Sequence, residues 1–165
     1  MEKVRIGIVG MGNMGKYHAD YLIKGKVAHA ELSAVCSTSP EKLSAYKDAV
    51  AIFGNGEEMI RSGSIDAVLV ATPHYQHTSL GICAIENGIH LMVEKPISAH
   101  KADAERLIEV STQHPDIVFG GMFQLRTEPR YMKLKKLIAD GDLGDIVRIN
   151  WIITDWFRTE AYYAS

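Results

Sequence analysis

The stretch Val4-Arg5-Ile6-Gly7-Ile8-Val9-Gly10-Met11-Gly12-Asn13-Met14-Gly15 decides the fold. Its first half is a short β-branched run, apolar towards both faces, and its second half is a G-x-G-x-x-G that opens an amphipathic segment. Gly10 permits a tight turn, Gly12 lets backbone approach a pyrophosphate, and Gly15 lets the following helix pack close to the strand. The helix N-terminus then offers free N–H groups and a partial positive charge to phosphates. A chance glycine-rich turn would share the spacing. The strand before it and the helix after it favour dinucleotide binding by Gly10, Met11, Gly12, Asn13, Met14 and Gly15.

Outward from this turn, Leu32 to Cys36, Asp66 to Ala71, Ile89 to Val93 and Ile117 to Phe119 read as further strands. They too are apolar on both faces, with helix-length stretches between, as a parallel sheet covered on each side requires. Ser39-Pro40 reads as N-cap and first residue of one helix, and Asn87-Gly88 closes another that begins near Tyr75. In the first helix Met14, Tyr17, His18, Tyr21 and Leu22 form one stripe facing the sheet, on which His18 reads as a packing histidine. The expected fold is α/β, a Rossmann doubly wound parallel sheet over residues 1–122.

After Gly121 the pattern changes. Thr127-Glu128-Pro129 opens a helix with Tyr131, Leu134 and Ile138 on its apolar stripe and Lys133, Lys135 and Lys136 solvated, and Gly141 ends it. From Ile146 to Thr154 the chain alternates, Val147, Ile149, Trp151 and Ile153 against Arg148 and Asn150, which predicts a half-buried strand of an antiparallel sheet. No later strand follows to pair with it, and a lone strand is not stable. Residues 123–165 are therefore expected to be the first helix and strand of a truncated α/β C-terminal domain. The apolar face of Val147, Ile149 and Trp151 is expected to drive self-association.

Eighteen basic against twenty acidic residues give a net charge of -2, which excludes the positive field of a nucleic-acid binder. The apolar runs fall far short of the roughly 18 residues that cross a bilayer. The N-terminus is an immediate strand and not a signal peptide, so a cytoplasmic protein without membrane contact is expected. Cys36 and Cys83 lack a C-x-x-C spacing and read as reduced, buried thiols. His74 and His77 stand three apart, but no cysteine or carboxylate nearby in sequence completes a metal cluster, so no metal is expected and the pair reads as cofactor-binding or core.

The acidic residue that grips the adenosine ribose in NAD-specific turns is absent at the end of the second strand, where the chain reads Cys36-Ser37-Thr38-Ser39-Pro40. Ser37 and Thr38 could donate to a 2′-phosphate, with Lys42 near, or simply bond a ribose hydroxyl. The expected cofactor is NAD or NADP, with a slight preference for NADP. Ala71-Thr72-Pro73-His74 and Glu94-Lys95-Pro96 end the strands expected over Asp66 to Ala71 and Ile89 to Val93, at the carboxyl edge where such sheets bind ligands. Lys95 there could act as general acid or base towards a substrate hydroxyl. The plain alternative is a surface Glu-Lys pair at a strand end.

Together these motifs resemble the Gfo/Idh/MocA family, the glucose-fructose oxidoreductase, inositol dehydrogenase and rhizopine-catabolism group. The resemblance runs through the glycine turn with His18 after it, Ala71-Thr72-Pro73 with His77, and Gly88-Ile89-His90-Leu91-Met92-Val93-Glu94-Lys95-Pro96. It continues into Arg126 to Leu143, similar to the helix that joins the two domains in that family. It implies a nicotinamide-dependent oxidoreductase acting on the CH–OH group of a sugar, polyol or related carbohydrate, with Lys95 catalytic and Thr72, Pro73, His74, His77 and Glu94 around the cofactor. His74 departs from the asparagine often found there. The family's further catalytic aspartate and histidine lie on a glycine-rich segment of a second domain that is missing here. The chain alone is thus expected to bind cofactor without turning over substrate, and the full-length protein to be a homo-oligomer. Two other readings stay open: NAD-dependent, redox-assisted glycoside hydrolysis, and a non-catalytic NAD(P)-binding sensor.

Trp151, Trp156, Phe157, Tyr162 and Tyr163 gather with Asp155, Arg158 and Glu160 near the C-terminus, either a sugar-stacking surface or core lacking its partner domain. Trp156 and Arg158 are candidates for substrate contact. Gln124 and Arg126, just after the last parallel strand, are candidates for substrate contact or for a domain hinge.

Overall fold

The computed structural model describes residues 2–154 and 157–164. Six strands form one parallel sheet: β1 (Val4–Val9), β2 (Ala30–Cys36), β3 (Ala51–Phe53), β4 (Ala67–Val70), β5 (His90–Glu94) and β6 (Phe119–Met122). Their order is β3-β2-β1-β4-β5-β6, so the chain runs outward from β1 in one direction, returns, and runs outward in the other. β1 is central, with Val9 opposite Cys36 on one side and Val70 on the other. That reversal opens a crevice at the carboxyl ends of β1 and β4, where ligands of doubly wound sheets bind.

The helices of this part are α1 (Asn13–Ile23), α2 (Gly56–Arg61), α3 (His77–Glu86) and α4 (Lys101–Gln113). Consecutive strand residues feed opposite layers. Ile8, Val35 and Leu69 pack with Ala19 and Leu22 of α1, whereas Val9, Cys36 and Val70 pack with Met59 and Ile60 of α2, Ile82 to Ile85 of α3 and Leu107 of α4. This two-sided burial is why the strands carry no polar face. Truncating Leu107, which has no exposed surface, removes a side chain whose loss typically costs about 2–5 kcal/mol.

Local differences from the sequence reading have local causes. The buried stripe of α1 is Gly15, His18, Ala19 and Leu22, while Met14 and Tyr17 face solvent. The small residues face inward because the helix starts too close to the sheet for larger ones. β3 and α2 escaped the periodicity search because they span three and six residues and β3 is an edge strand with Ile52 partly exposed. Their punctuation was nevertheless present, since Asn55 Oδ1 accepts from Glu57 N at 2.8 Å and Glu58 N at 3.2 Å as an N-cap. Ser39-Pro40 begins only a short 3₁₀ turn over Pro40–Lys42, and Ser39 makes no side-chain cap. The helix expected from Tyr75 starts at His77, after a 3₁₀ turn over His74–Gln76. β6 lies further along than Ile117 to Phe119 because Gly120 and Gly121, poor strand formers, are accommodated in it; the Met92 side chain fills the space beside Gly120.

The chain divides into two compact units, the second beginning at Gln124. It holds a 3₁₀ turn over Gln124–Arg126, then α5 (Pro129–Ala139), with Pro129 at its first turn, and α6 (Glu160–Tyr163). Trp151 stacks on Tyr131 with ring centroids 5.4 Å apart, and the Arg158 guanidinium lies 4.1 Å from the Tyr162 ring centre. The strand expected over 146–154 is not formed: those residues have no regular secondary structure, and Val147 is 96% exposed. An alternating pattern specifies a strand only where a neighbour supplies ladder hydrogen bonds, and none is offered to this segment among the described residues.

Candidate functional site

Backbone shape makes the first half of the site. Gly10 follows β1 with φ +98°, and its N–H donates to Cys36 O at 2.9 Å, which ties the turn to the end of β2. A Cβ on Gly10 would stand 2.6 Å from Ala71 O, and one on Gly15 only 1.9 Å from Gly10 O. Gly12, the N-cap of α1, is different: a Cβ there would meet no protein atom within 4 Å, and would project into open space above the turn. Two glycines are therefore required by the protein itself. The third keeps clear a space that the protein leaves empty, beside the free N–H groups of the α1 N-terminus.

That space belongs to a cleft of about 560 Å³ lined by the glycine turn, the ends of β2 and β4, the β3–α2 turn and the start of α3. Of the residues singled out from sequence, Gly10, Met11, Gly12, Ser37, Thr38, Lys42, Thr72 and Pro73 line it. Met11 does so with its side chain sunk in the core. Asn13, Met14 and Gly15 lie in the first turn of α1 and outside the lining. Asn55, Glu57, Gln76 and Ser79 also line the cleft and were missed. The capping pattern Asn55-Gly56-Glu57-Glu58 was the signal that could have found the first two.

The polar groups of the cleft are largely committed. Ser37 Oγ accepts from Ser39 N at 3.1 Å, and Glu57 pairs with Arg61 at 2.9 Å. Burial, then the Glu58 carboxylate, pushes the Cys36 thiol up to about 11, so it faces the cleft as a neutral group. Thr72 Oγ1 is buried without a hydrogen-bond partner among the described residues. A buried hydroxyl in that condition at a cleft wall has its hydrogen-bonding capacity left over for a ligand. The glycine cradle, the helix N-terminus and this hydroxyl all suit a dinucleotide.

Side chains make the second half. Glu94 ends β5, almost wholly buried, and its Oε1 lies 2.7 Å from His18 Nε2 while its Oε2 accepts the Lys95 backbone N–H at 3.1 Å. His18 Nδ1 is 2.7 Å from the Tyr21 hydroxyl. Burial first, then the Tyr17 and Glu94 charges, holds the Tyr21 phenol above its ordinary pKa, which keeps it a hydrogen-bond donor. His77 has no exposed surface and sits with Nδ1 2.9 Å from Pro96 O and Nε2 2.9 Å from Thr72 O, joining the ends of β4 and β5. The Lys95-Pro96 bond is cis, and Lys95 itself is exposed at the carboxyl edge. His74 is also exposed, with its ring against His77 at 5.6 Å. His18 is thus more than packing. It is bonded to the glutamate of the Glu-Lys-Pro triplet.

Among the described residues no three metal-ligating side chains come together, and no helix is long and apolar enough to cross a membrane. Gln124, Arg126 and Arg158 belong to the second unit, and Trp156 lies outside the described residues.

The family model described as Gfo/Idh/MocA, oxidoreductase family, NAD-binding Rossmann fold, matches residues 4–122. The chain belongs to this family. Its first unit is the family's NAD(P)-binding Rossmann domain. Among curated relatives of this Gfo/Idh/MocA chain, an inositol 2-dehydrogenase of Corynebacterium glutamicum is 29% identical over 99% of this chain and 49% of its own length. A myo-inositol 2-dehydrogenase of Thermotoga maritima is 31% identical over 86% of this chain and 42% of its own. The crystal structure of a scyllo-inositol dehydrogenase from Lactobacillus casei, with bound NAD(H) and scyllo-inositol, superposes with a TM-score of 0.83. It is 32% identical over 87% of this chain and 43% of that one. The chain spans about half the length of the curated relatives it matches.

Proposed function

We propose that this chain is the cofactor-binding part of an NAD(P)-dependent oxidoreductase that interconverts a CH–OH group and a carbonyl on a cyclic polyol, sugar or related carbohydrate. Residues 1–122 bind the cofactor in this reading. Residues 123–165 open the domain that supplies substrate contacts, with Gln124, Arg126, Trp156 and Arg158 as candidates, and the interface of a homo-oligomer. One observation carries the proposal: a backbone cradle fit for a diphosphate, at the end of β1, and a lysine at the end of β5, two strands along, share one carboxyl edge. The polyol class is favoured by the inositol dehydrogenases among the relatives.

Each half has a task. The N–H groups at the start of α1 hold the diphosphate, and Gly12 gives it room. Ser37, Thr38 and Lys42 meet the adenosine ribose; with no carboxylate at the end of β2, that end admits a 2′-phosphate, and NADP is slightly preferred over NAD. Thr72, Pro73 and His74 flank the path towards β5. The nicotinamide, when bound, supplies hydride exchange. Lys95 takes the proton from the substrate hydroxyl as hydride leaves the same carbon, and returns it in the reverse direction.

Fluorescence titration with NADH and NADPH, followed by steady-state oxidation of inositols, tests this. Lys95→Ala is expected to keep both affinities within about 3-fold and to lower kcat by roughly 10²–10⁴-fold in the enzyme that carries this chain. Unaltered turnover rejects the lysine. Failure of either nucleotide to bind, or a clear preference for NADH, overturns the reading of the cradle or of its ribose end respectively.

A further inference from the structure

The segment Glu94-Lys95-Pro96 leaves the sheet where its ladder ends. Val93 is the last residue of β5 registered against β4, and Glu94 the last against β6. From Lys95 onward the backbone needs other partners, and two buried histidines from opposite faces of the sheet supply them. His18 comes from α1, whose core residues pack with Ile8 and Leu69; His77 comes from α3, whose residues pack in the other layer with Val9 and Val70. His18 reaches one oxygen of Glu94, whose other oxygen holds the Lys95 N–H. His77 reaches the Pro96 carbonyl.

We propose that His18 and His77 are positioning residues for Lys95, gripping the residues before and after it from the two faces of the sheet. The proposal rests on the reading of Lys95 as the proton-exchanging group. Chemistry fixes what each ring must do. Glu94 is an acceptor when ionised, so His18 donates through Nε2–H, and its Nδ1 accepts from Tyr21 Oη, which closes the chain Tyr21–His18–Glu94–Lys95. Both targets of His77 are carbonyl oxygens, which only accept, so His77 serves this strand end as a donor. Each histidine spends one ring nitrogen close by in the chain, His18 on Tyr21 of α1 and His77 on Thr72, and the other on the Glu94–Pro96 segment. Histidines retained only for packing have no need of distant partners, 76 and 19 residues away, that converge on one tripeptide. A buried carboxylate whose partner is removed must find water or move, and the Lys95 peptide it holds moves with it.

The test is a pair of substitutions at one position. In His18→Gln the side-chain amide can still donate to Glu94, and in His18→Leu nothing can. Should the leucine variant not fold, His18→Asn, whose amide is too short to reach, takes its place. By amide hydrogen exchange, His18→Leu is expected to lower protection of the Lys95 N–H by at least ~10-fold, with the amides of β1 and β4 unchanged and His18→Gln within ~3-fold of wild type. Nitrogen shifts of the imidazole should show the His18 proton on Nε2. In the enzyme that carries this chain, kcat is expected to fall by ~10-fold or more in His18→Leu, with KM for cofactor unchanged and substantial recovery in His18→Gln. Equal Lys95 protection and equal kcat in the leucine and glutamine variants overturn the positioning role. If Lys95→Ala leaves turnover intact, the Lys95 reading fails instead, and the exchange result still stands or falls by itself.

Discussion

The two halves of the carboxyl edge are built on opposite principles. At the end of β1 the site is made of missing atoms: three glycines within six residues, each defined by what a Cβ would strike or would fill. At the end of β5 it is made of polar atoms brought from afar: His18 and Glu94 are 76 residues apart, and His77 and Pro96 are 19. The first half should be broken by adding a methyl group, and the second by removing a hydrogen-bonding one. A local backbone shape tolerates changes elsewhere in the domain, whereas the lysine end depends on how two helices sit on two faces of the sheet.

The largest expected effect breaks the first half at Gly15. Alanine favours a helix over glycine by about 1 kcal/mol. Against that stands a Cβ placed 1.9 Å from the Gly10 carbonyl, a backbone atom that can yield only if α1 shifts. The clash wins, and Gly15→Ala is expected to cost about 3 kcal/mol in urea unfolding and to abolish nucleotide binding. Wild-type stability in that variant would show that the turn is looser than its geometry. Gly12→Ala sharpens the comparison, since its Cβ meets nothing of the protein. Its stability should stay within about 0.5 kcal/mol of wild type. NADH affinity should nonetheless fall by at least ~10-fold, because the methyl group stands where the diphosphate approaches. Parallel losses of stability and affinity in both variants would erase the distinction between a glycine the fold needs and a glycine the ligand needs.

The same contrast governs how much could be read from the chain. The glycine turn, the two-sided strands and the position of Lys95 were legible because each is written in consecutive residues whose spacing has one mechanical solution. The doubly wound sheet followed from them. What the sequence hid was of two kinds. Short elements such as β3 and α2 fall below the length at which periodicity speaks, although Asn55 announced the helix by its cap. Long-range pairs leave no periodic trace at all: His18 lies on an apolar stripe, and nothing near it in sequence says that its ring meets a carboxylate. The alternation over 146–154 shows the converse, a pattern without a fold, because a strand is a property of two segments and not of one.

The smallest expected effect probes the far end of the lysine network. Tyr21→Phe leaves the packing shape and removes only the hydroxyl that serves His18 Nδ1, so it should cost about 1 kcal/mol near neutral pH while nucleotide affinity holds. Its alkaline behaviour is more telling. The Tyr21 phenol is raised above its ordinary value of 10.0, by burial before the neighbouring Tyr17 and Glu94 charges. Between its unfolded and folded pKa the native state therefore binds more protons than the unfolded chain. The stability it contributes is complete below about pH 10 and declines as pH rises through the folded value. Urea midpoints measured upward from pH 9 should fall less steeply in Tyr21→Phe than in wild type. The slope does not vanish, because the Tyr46 phenol and the Cys36 thiol, the latter at about 11, are raised with the same sign. Identical slopes in the two proteins would mean that the hydroxyl is already solvated in the native state, and that the chain from Tyr21 to Lys95 stops at His18.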